Sequence, residues 1–235
     1  MNILCVAAHP DDIEILCAGT LIKYARAGHS VTMAVFTTGN MGDIHIKPLD
    51  LAVIREKETR AAAALIGAKV IWPLVDDELV FPNETQRHIM IDVLREADPD
   101  VIITHSPNDY HPDHRYVSQL VFDSYFQKGL PFMPNQSLPA CRFGQAQLYY
   151  MDNLGGIDFL PTEYVDVSDT FEMKKQMLSC HESQVLAMKE LANTDMLEMI
   201  EVQARFRGFG AGCRFAEGFT RLDAYQRGLT KRVLP

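Results

Sequence analysis

The sequence lacks the features that mark nucleic-acid-binding and membrane proteins. Its 22 Lys and Arg residues against 31 Asp and Glu give a formal net charge of −9, whereas a nucleic-acid or anionic-membrane partner requires a basic face. No run of about 18 apolar residues, the length that spans a bilayer, occurs in the chain. The N-terminus has neither the basic start nor the long apolar stretch of a signal peptide. We therefore expect a cytoplasmic protein with no nucleic-acid and no membrane partner.

Cysteine patterns and common cofactor motifs are missing as well. The five cysteines are odd in number and scattered, without a Cys-x-x-Cys pair, so neither a disulfide framework nor a cysteine-rich zinc site is expected. Reduced thiols are typical of the cytoplasm. The chain also contains no Gly-x-Gly-x-x-Gly, no Gly-x-x-x-x-Gly-Lys-Ser/Thr and no Gly-x-Ser-x-Gly. These absences disfavour dinucleotide binding, a P-loop and a serine nucleophile elbow.

The first half of the chain alternates strand-like and helix-like segments, which predicts βαβ units and a parallel sheet. With 47% hydrophobic and 23% charged residues, the chain has the composition of a globular protein. In a strand order of 3-2-1-4-5, strands one and four are neighbours. The predicted strands are 2–8, 31–37, 69–72 and 101–105, and the predicted helices are 13–27, 51–66, 84–96 and 114–127.

The second half is less regular. It contains a predicted loop at 129–144, strands at 147–151 and 164–167, and helices at 170–191 and 195–206. Because no linker or repeat is visible, we expect one α/β domain over 1–235. Residues 1–128 would form its core, and 129–235 would be a C-terminal elaboration that shapes a pocket.

Polar side chains cluster where strands one and four end. His9, Asp11, Asp12 and Glu14 follow strand one, and the segment from His105 to His114 follows strand four. Ligands of open α/β sheets bind beyond the carboxyl ends of the strands, where the strand order reverses. The sequence therefore predicts a site at this edge. Loops 38–50, 75–83 and 106–113 would surround it.

The residue types of this edge are those of a catalytic zinc site. His9, Asp12 and His114 supply two imidazoles and one carboxylate, a set that leaves a fourth position for water. Asp11 then remains beside the metal as a natural general base. The same residues also fit a simple turn with an aspartate that caps the helix.

The second cluster supplies a further candidate pair. His111 lies three residues before His114 and would face the other side of the substrate. Asp113 would orient and charge that imidazole through a hydrogen bond, as carboxylates do for histidines.

The segment Ala8–Glu14 resembles the AHPDDxE signature of the PIG-L / LmbE-like N-acetylglucosaminyl deacetylases. The segment 111–114 is similar to the HPDH signature of that family. Arg55 to Glu58, His181 to Gln184 and Ala216 to Phe219 resemble its R-x-x-E, H-x-S-Q and AE-x-F elements. The matches run in the family's order over about residues 3–219, nearly the whole chain.

The resemblance implies a Rossmann-like three-layer α/β/α fold and a zinc-dependent hydrolase, with iron(II) as the alternative ion. Its substrate would be a small-molecule N-acetylated amino sugar or a conjugate of one. In the family's pattern His9, Asp12 and His114 bind the metal, Asp11 is the general base, and His111 stabilises the oxyanion or acts as acid. The resemblance also implies a homo-oligomer, a trimer or a hexamer.

Three further side chains are candidate substrate contacts. Arg55 would hold a substrate hydroxyl or the acetate product, or would instead be a solvated helix residue paired with Glu58. Asn40 would line the pocket, and Tyr110 would donate to the oxyanion or lie on a surface loop. His181 is expected to be structural, and the sulfur-rich stretch 188–199 is expected to pack helices or an oligomer contact.

Two other functions fit the same edge of the sheet. A metal-dependent hydrolase of another small substrate, such as a phosphoester, would call for more Arg or Lys, and the loops around the site offer only Lys47. A non-catalytic sugar-binding protein would not need Asp11 beside a complete set of ligands.

Overall fold

A seven-stranded mixed sheet forms the centre of the protein, among the residues that the computed structural model describes (1–73, 75–142, 146–222 and 233–235). The strand order β3-β2-β1-β4-β5-β7-β6 confirms the predicted neighbourhood of strands one and four. The first five strands of this order pair in parallel. Strand β7 pairs antiparallel with β5 on one side and with β6 on the other. The strands are β1 Asn2–Ala7, β2 Ser30–Val35, β3 Lys69–Ile71, β4 Val101–Thr104, β5 Gln147–Met151, β6 Glu163–Asp166 and β7 Ala216–Arg221.

Helices cover both faces of the sheet and confirm the Rossmann-like three-layer fold. Alternate residues of β1 point to opposite layers, as the two-residue period of a strand requires. Ile3 packs into the cluster that holds α1, α2 and α6 to α8, and Leu4 packs into the cluster that holds α4 and α5. The helices are α1 Asp12–Leu16, α2 Ala18–Arg26, α3 Pro48–Ala64, α4 Glu84–Ala97, α5 Pro112–Ser124, α6 Phe171–Ser179, α7 Glu182–Ala192 and α8 Met196–Ala211.

Two helices that were predicted to be continuous are each broken in two. The predicted helix 13–27 breaks at Cys17, where the Glu217 carboxylate of β7 accepts the amides of Gly19 and Thr20 at 2.9 and 2.8 Å. The predicted helix 170–191 breaks before Glu182, because the carboxylate of Glu58 accepts the amide of Ser183 at 2.8 Å. A distant carboxylate thus satisfies the first amides of the second helix in both cases.

Other differences are small. Strand β7 carries the AE-x-F residues and was not predicted. Positions 143 and 144, the end of the predicted loop 129–144, lie outside the described residues. Within the described part of the chain, every helix is too short or too polar to cross a bilayer.

Candidate metal centre and catalytic cleft

Three chain segments meet at the carboxyl edge of the sheet. Two follow β1 and β4, which pair in parallel from Ile3 with Val101 to Val6 with Thr104. The third follows β3, and a parallel bridge between Thr37 and Val75 ties it to the extension of β2. The cleft between these segments leaves about 200 Å³ open to water-sized molecules.

The three predicted metal ligands converge in this cleft. The His9 Nδ1 lies 3.1 Å from the His114 Nε2 and 3.3 Å from the Asp12 Oδ2. The His114 Nε2 lies 3.3 Å from the Asp12 Oδ1. Tetrahedral zinc with bonds of about 2.0–2.1 Å keeps its donors roughly 3.3–3.4 Å apart. The three pairwise distances are of this size, with one oxygen of Asp12 close to each imidazole. Three groups of metal-ligating side chains among the described residues have donor atoms within 4.8 Å of one another. Each predicted ligand belongs to at least one of them, and no group contains all three; the groups are His9, His111 and His114; Asp12, His105 and His114; and His9, Asp77 and Asp113.

A strained residue aims the first segment into the cleft. Asp11 has φ 99° and ψ −25°, a left-handed conformation that is uncommon for any residue other than glycine. It occupies the N-cap position of α1, yet its carboxylate caps no amide of that helix. The carboxylate instead lines the cleft beside His9 and Asp12. The turn therefore gives the two aspartates different surroundings: the Asp12 carboxylate lies against the imidazoles of His9 and His114, and the Asp11 carboxylate stays free of the α1 amides. The simple helix-capping reading of Asp11 is wrong.

A carboxylate oxygen lies close to the second ring nitrogen of each imidazole. The Asp77 Oδ1 lies 3.0 Å from the His9 Nε2, and the Asp109 Oδ2 lies 3.1 Å from the His114 Nδ1. Such outer carboxylates fix the orientation of a metal-binding histidine and raise its basicity. Sequence reasoning assigned no role to either residue. Asp77 follows β3, so the rule that polar residues gather at the carboxyl edge would have pointed to it.

His105 closes β4 and is fully buried. Its Nε2 accepts the amide of Ala8 at 3.0 Å, and its ring stacks on His114 with centroids 3.9 Å apart. The pKa of His105 is lowered to about 4, mainly by burial and to a smaller extent by the positive charge of the nearby His114. This imidazole is therefore neutral, and it supports the segment that follows β1.

The charges around the ligands favour a cation. Burial would raise the pKa of Asp12, but the surrounding His114, His105 and His9 imidazoles hold it well below its usual range. Burial would lower the pKa of His114, but Asp12 and Asp109 raise it to about 9. Asp12, Asp113 and Asp77 likewise outweigh burial and raise the pKa of His9. The surrounding carboxylates therefore favour positive charge on this pair of histidines, a proton in the metal-free protein or a bound metal ion.

Asp11 is the carboxylate with the opposite behaviour. It is 6% exposed, and burial raises its pKa to about 7, although the Arg55 guanidinium acts against the rise. A pKa near neutrality is suited to a group that both accepts and returns a proton.

His111 lines the cleft in a different environment from the one predicted. Its Nδ1 accepts the amide of Asp113 at 3.2 Å, while the Asp113 carboxylate accepts the amide of Glu78 at 2.9 Å and lies 3.5 Å from the His9 Nε2. The expected bond from the Asp113 carboxylate to His111 is therefore replaced by one from the Asp113 backbone. The Glu78 Oε1 lies 3.4 Å from the His111 Nε2. Burial, followed by the positive charges of His9 and His114, lowers the pKa of His111.

Arg55 is a buried side chain of the cleft. It is 3% exposed, and its Nε and Nη2 have no hydrogen-bond partner among the described residues. Glu58, the partner proposed in the alternative reading, is engaged with Ser183 instead. The interpretation of Arg55 as a solvated, paired residue is therefore wrong, and two of its guanidinium nitrogens remain available to a ligand.

Asn40 and Tyr110 occupy different places. Asn40 is not among the described side chains that line the cleft. Its Oδ1 accepts the amide of Asp77 at 3.0 Å and its Nδ2 donates to the Asp76 Oδ1 at 2.9 Å, so it fixes the position of Asp77. Tyr110 lines the cleft, but 64% of it is exposed. It therefore lies at the rim of the cleft.

The remaining candidates lie deeper. His181 is 1% exposed, and its Nε2 lies 3.3 Å from the Oε2 of the buried Glu14, in keeping with a structural role. Met188, Met196 and Met199 line the cleft, a position that the expectation of helix packing or an oligomer contact did not include.

The chain is similar to known deacetylases over most of its length. The family described as PIG-L: GlcNAc-PI de-N-acetylase matches residues 4–125. The diacetylchitobiose deacetylase of Thermococcus kodakarensis is 30% identical over an alignment 231 residues long, and the match covers 92% of this chain and 81% of that protein. The structure of N,N′-diacetylchitobiose deacetylase from Pyrococcus horikoshii matches with a TM-score of 0.81 at 28% identity. That match covers 94% of this chain and 83% of the other.

The same fold also carries a different reaction. GalB, the 4-carboxy-2-hydroxymuconate hydratase of Pseudomonas putida KT2440, matches with a TM-score of 0.81 at 18% identity, over 99% of this chain and 100% of the other. At that identity the likeness shows the fold alone. The reaction must therefore be argued from the residues of the cleft.

Proposed function

This chain belongs to the PIG-L family of GlcNAc-PI de-N-acetylases, and we propose that it is a metal-dependent hydrolase that removes the acetyl group from an N-acetylglucosamine-type amino sugar or its conjugate. The observation that carries the proposal is the convergence of the His9, Asp12 and His114 donor atoms at 3.1–3.3 Å beside an uncapped, buried Asp11. The similarity to the two diacetylchitobiose deacetylases supports the amide bond of an acetylated amino sugar as the target.

His9, Asp12 and His114 would hold the metal ion, zinc or alternatively iron(II), because imidazole and carboxylate suit both. When bound, such an ion lowers the pKa of a coordinated water to about 7 and polarises a carbonyl oxygen. Asp77 and Asp109 keep the two imidazoles oriented toward the ion from their far sides.

Asp11 moves the proton. Its carboxylate takes a proton from the attacking water and then returns it to the departing amine, so that the amine leaves in a neutral form. A carboxylate whose pKa is raised to about 7 by burial can do both near neutral pH. The left-handed turn at Asp11 keeps its carboxylate free of the helix amides and available to the substrate.

His111 stabilises the charge that develops on the acetyl oxygen. Because its Nδ1 accepts the amide of Asp113, the proton of the neutral ring lies on the Nε2. That Nε2–H group donates to the oxyanion from the cleft wall. The lowered pKa of His111 supports a neutral donor over an imidazolium. Arg55, with two buried guanidinium nitrogens that lack partners among the described residues, binds a sugar hydroxyl or the released acetate.

The decisive experiment combines metal content with turnover. Asp11→Asn keeps the shape of the residue and removes the base, so acetate release from N-acetylglucosamine conjugates should fall by about 10²–10⁴ while the metal stays bound. His114→Ala should lose the metal as measured by elemental analysis. Normal turnover in the first variant, or full metal occupancy in the second, would contradict the assigned roles.

We also propose that the chain acts as one domain within a cytoplasmic homo-oligomer, a trimer or a hexamer. All five cysteines are free thiols, which suits a reducing compartment. Val202, Phe206 and Phe209 share one face of α8 and are 60%, 59% and 90% exposed, an apolar surface that a second copy would cover. Light scattering at micromolar concentration tests this, and a purely monomeric mass would contradict it.

A further inference from the structure

The cleft has two chemically different halves. The polar half contains the metal ligands, Asp11, Arg55 and His111. The other half is apolar and presents no titratable group among the described residues. Its lining side chains are Ile15, Leu16, Leu154, Met188, Met196 and Met199.

Two consecutive helices bring the three methionines together. Asn193, in a left-handed conformation with φ 49°, ends α7, and the Asp195 carboxylate accepts the amide of Leu197 at 2.9 Å to begin α8. This tight connection places Met188 near the end of α7 beside Met196 at the start of α8. Met196 is buried, while Met188 and Met199 are half-buried and keep part of their surface free.

The chemistry of this wall suits hydrocarbon and not a second sugar ring. Methionine is flexible and polarisable and donates no hydrogen bond. A sugar hydroxyl buried there without a partner would weaken binding roughly 5- to 100-fold. Gln184, about one turn before Met188 on α7, also lines the cleft, and its Oε1 is buried without a partner among the described residues. A buried methylene group, by contrast, strengthens binding about four-fold.

The wall lies on the side of the departing amine. In the proposed reaction Asp11 returns its proton to that amine, so the sugar ring that carries the nitrogen lies on the Asp11 side of the cleft and its aglycone extends beyond the ring on the same side. The amide of Ile15 donates to the Asp11 carbonyl at 2.9 Å, which places Ile15 one helical turn after the base. Leu16 follows it at the same edge. The apolar half thus begins directly beyond the base.

We infer that the substrate is an N-acetylglucosamine that carries an apolar aglycone, and that Met188, Met196 and Met199 form the binding wall for that aglycone. The inference rests on the proposed function, because it uses the proton transfer from Asp11 to place the sugar. The wall sets the preference among conjugates, whereas the polar half carries out the hydrolysis.

The test measures kcat/KM for methyl, butyl and octyl glycosides of N-acetylglucosamine, in both anomeric forms, and for N,N′-diacetylchitobiose. We expect kcat/KM to rise at least ten-fold from the methyl to the octyl glycoside and to be lower for diacetylchitobiose than for the octyl glycoside. Met188→Gln and Met199→Gln should each reduce the octyl-to-methyl ratio at least five-fold. The matched control is Leu186→Gln on the same helix, because Leu186 is 59% exposed and is not among the side chains that line the cleft. It should leave the ratio unchanged.

Two results would overturn the inference: a preference for diacetylchitobiose, or an octyl-to-methyl ratio that the methionine variants do not change. Calorimetric binding to the Asp11→Asn protein separates this inference from the proposed function. If no conjugate is deacetylated but the octyl glycoside still binds at least ten-fold more tightly than the methyl glycoside, the wall is supported and the proposed function fails. Equal binding of the two overturns the wall.

Discussion

Zinc affinity should rise steeply with pH, because in the metal-free protein a proton occupies His114, one of the proposed ligands. With its pKa raised to about 9, His114 is neutral in only about one molecule in a hundred at pH 7. Displacing that proton costs about 3 kcal/mol of zinc affinity at pH 7 and less than about 1 kcal/mol at pH 9. His114 alone therefore predicts a roughly 50-fold gain in affinity over this range, and the raised pKa of His9 adds to it.

The assay is competition with a chromophoric chelator in zinc-buffered solution between pH 7 and pH 9, with proton release measured by calorimetry in two buffers of different ionisation enthalpy. An unperturbed histidine would change the affinity less than about two-fold over the same range. Asp109→Asn should make the dependence shallower, since it removes a carboxylate that raises the pKa of His114. Asp50→Asn, at an exposed position of α3, is the control. A wild-type affinity that changes less than three-fold, or release of less than half a proton at pH 7, would refute the reasoning.

The same titration predicts the stability of the metal-free protein. A histidine whose folded-state pKa lies above its unfolded value of about 6.5 stabilises the fold fully below pH 6.5. That contribution is lost as the pH rises through the folded-state pKa of His114, about 9. The midpoint of thermal unfolding of the chelator-treated protein should therefore fall between pH 7 and pH 9. A constant or rising midpoint would contradict this sign.

Three substitutions test the supporting structure. Asp77→Asn removes the carboxylate next to His9 and should weaken zinc binding about 10- to 100-fold. Asp76→Asn is the control, because it keeps an oxygen that can accept from the Asn40 side-chain amide, and it should leave zinc affinity unchanged. Competition with a chelator measures both affinities. Glu217→Ala leaves two amides of α2 and a buried lysine without an acceptor, so the free energy of unfolding in urea should fall by about 3–5 kcal/mol; a loss below 1 kcal/mol would contradict the capping role. Gly39→Ala places a Cβ against the Arg55 guanidinium at a position with φ 61°, so KM for the sugar should rise while zinc content stays normal, and an unchanged KM would argue against Arg55 as a substrate contact.

The sequence alone predicted the parallel sheet and, for the assumed strand order 3-2-1-4-5, the meeting of the His9 and His114 segments. These features are local or follow from topology. An apolar run specifies each buried strand, the βαβ rule sets its direction, and the carboxyl ends of neighbouring parallel strands share one edge. The residue types at that edge then indicated a metal site before any distance was known.

The second-layer contacts of the site were only partly accessible. Asp109 lay within the segment that the sequence singled out, but nothing local showed that its carboxylate faces the far nitrogen of His114. Asp113 was expected to hold His111 through its carboxylate, and the helix start at Pro112 instead turns that carboxylate toward Glu78 and His9. A side-chain direction within one helical turn depends on the neighbours that surround it, which periodicity does not describe.

Only the tertiary structure decided the breaks in the helices, the role of Asp77 and the apolar half of the cleft. Glu217 lies 198 residues from the Gly19 amide that it accepts, and Glu58 lies 125 residues from Ser183. The helical periodicity is unbroken at both places, because a capping carboxylate from elsewhere leaves no trace in the local sequence. The methionines of α7 and α8 could likewise have packed anywhere by composition. The tertiary structure placed them in the lining of the same cleft as Asp11.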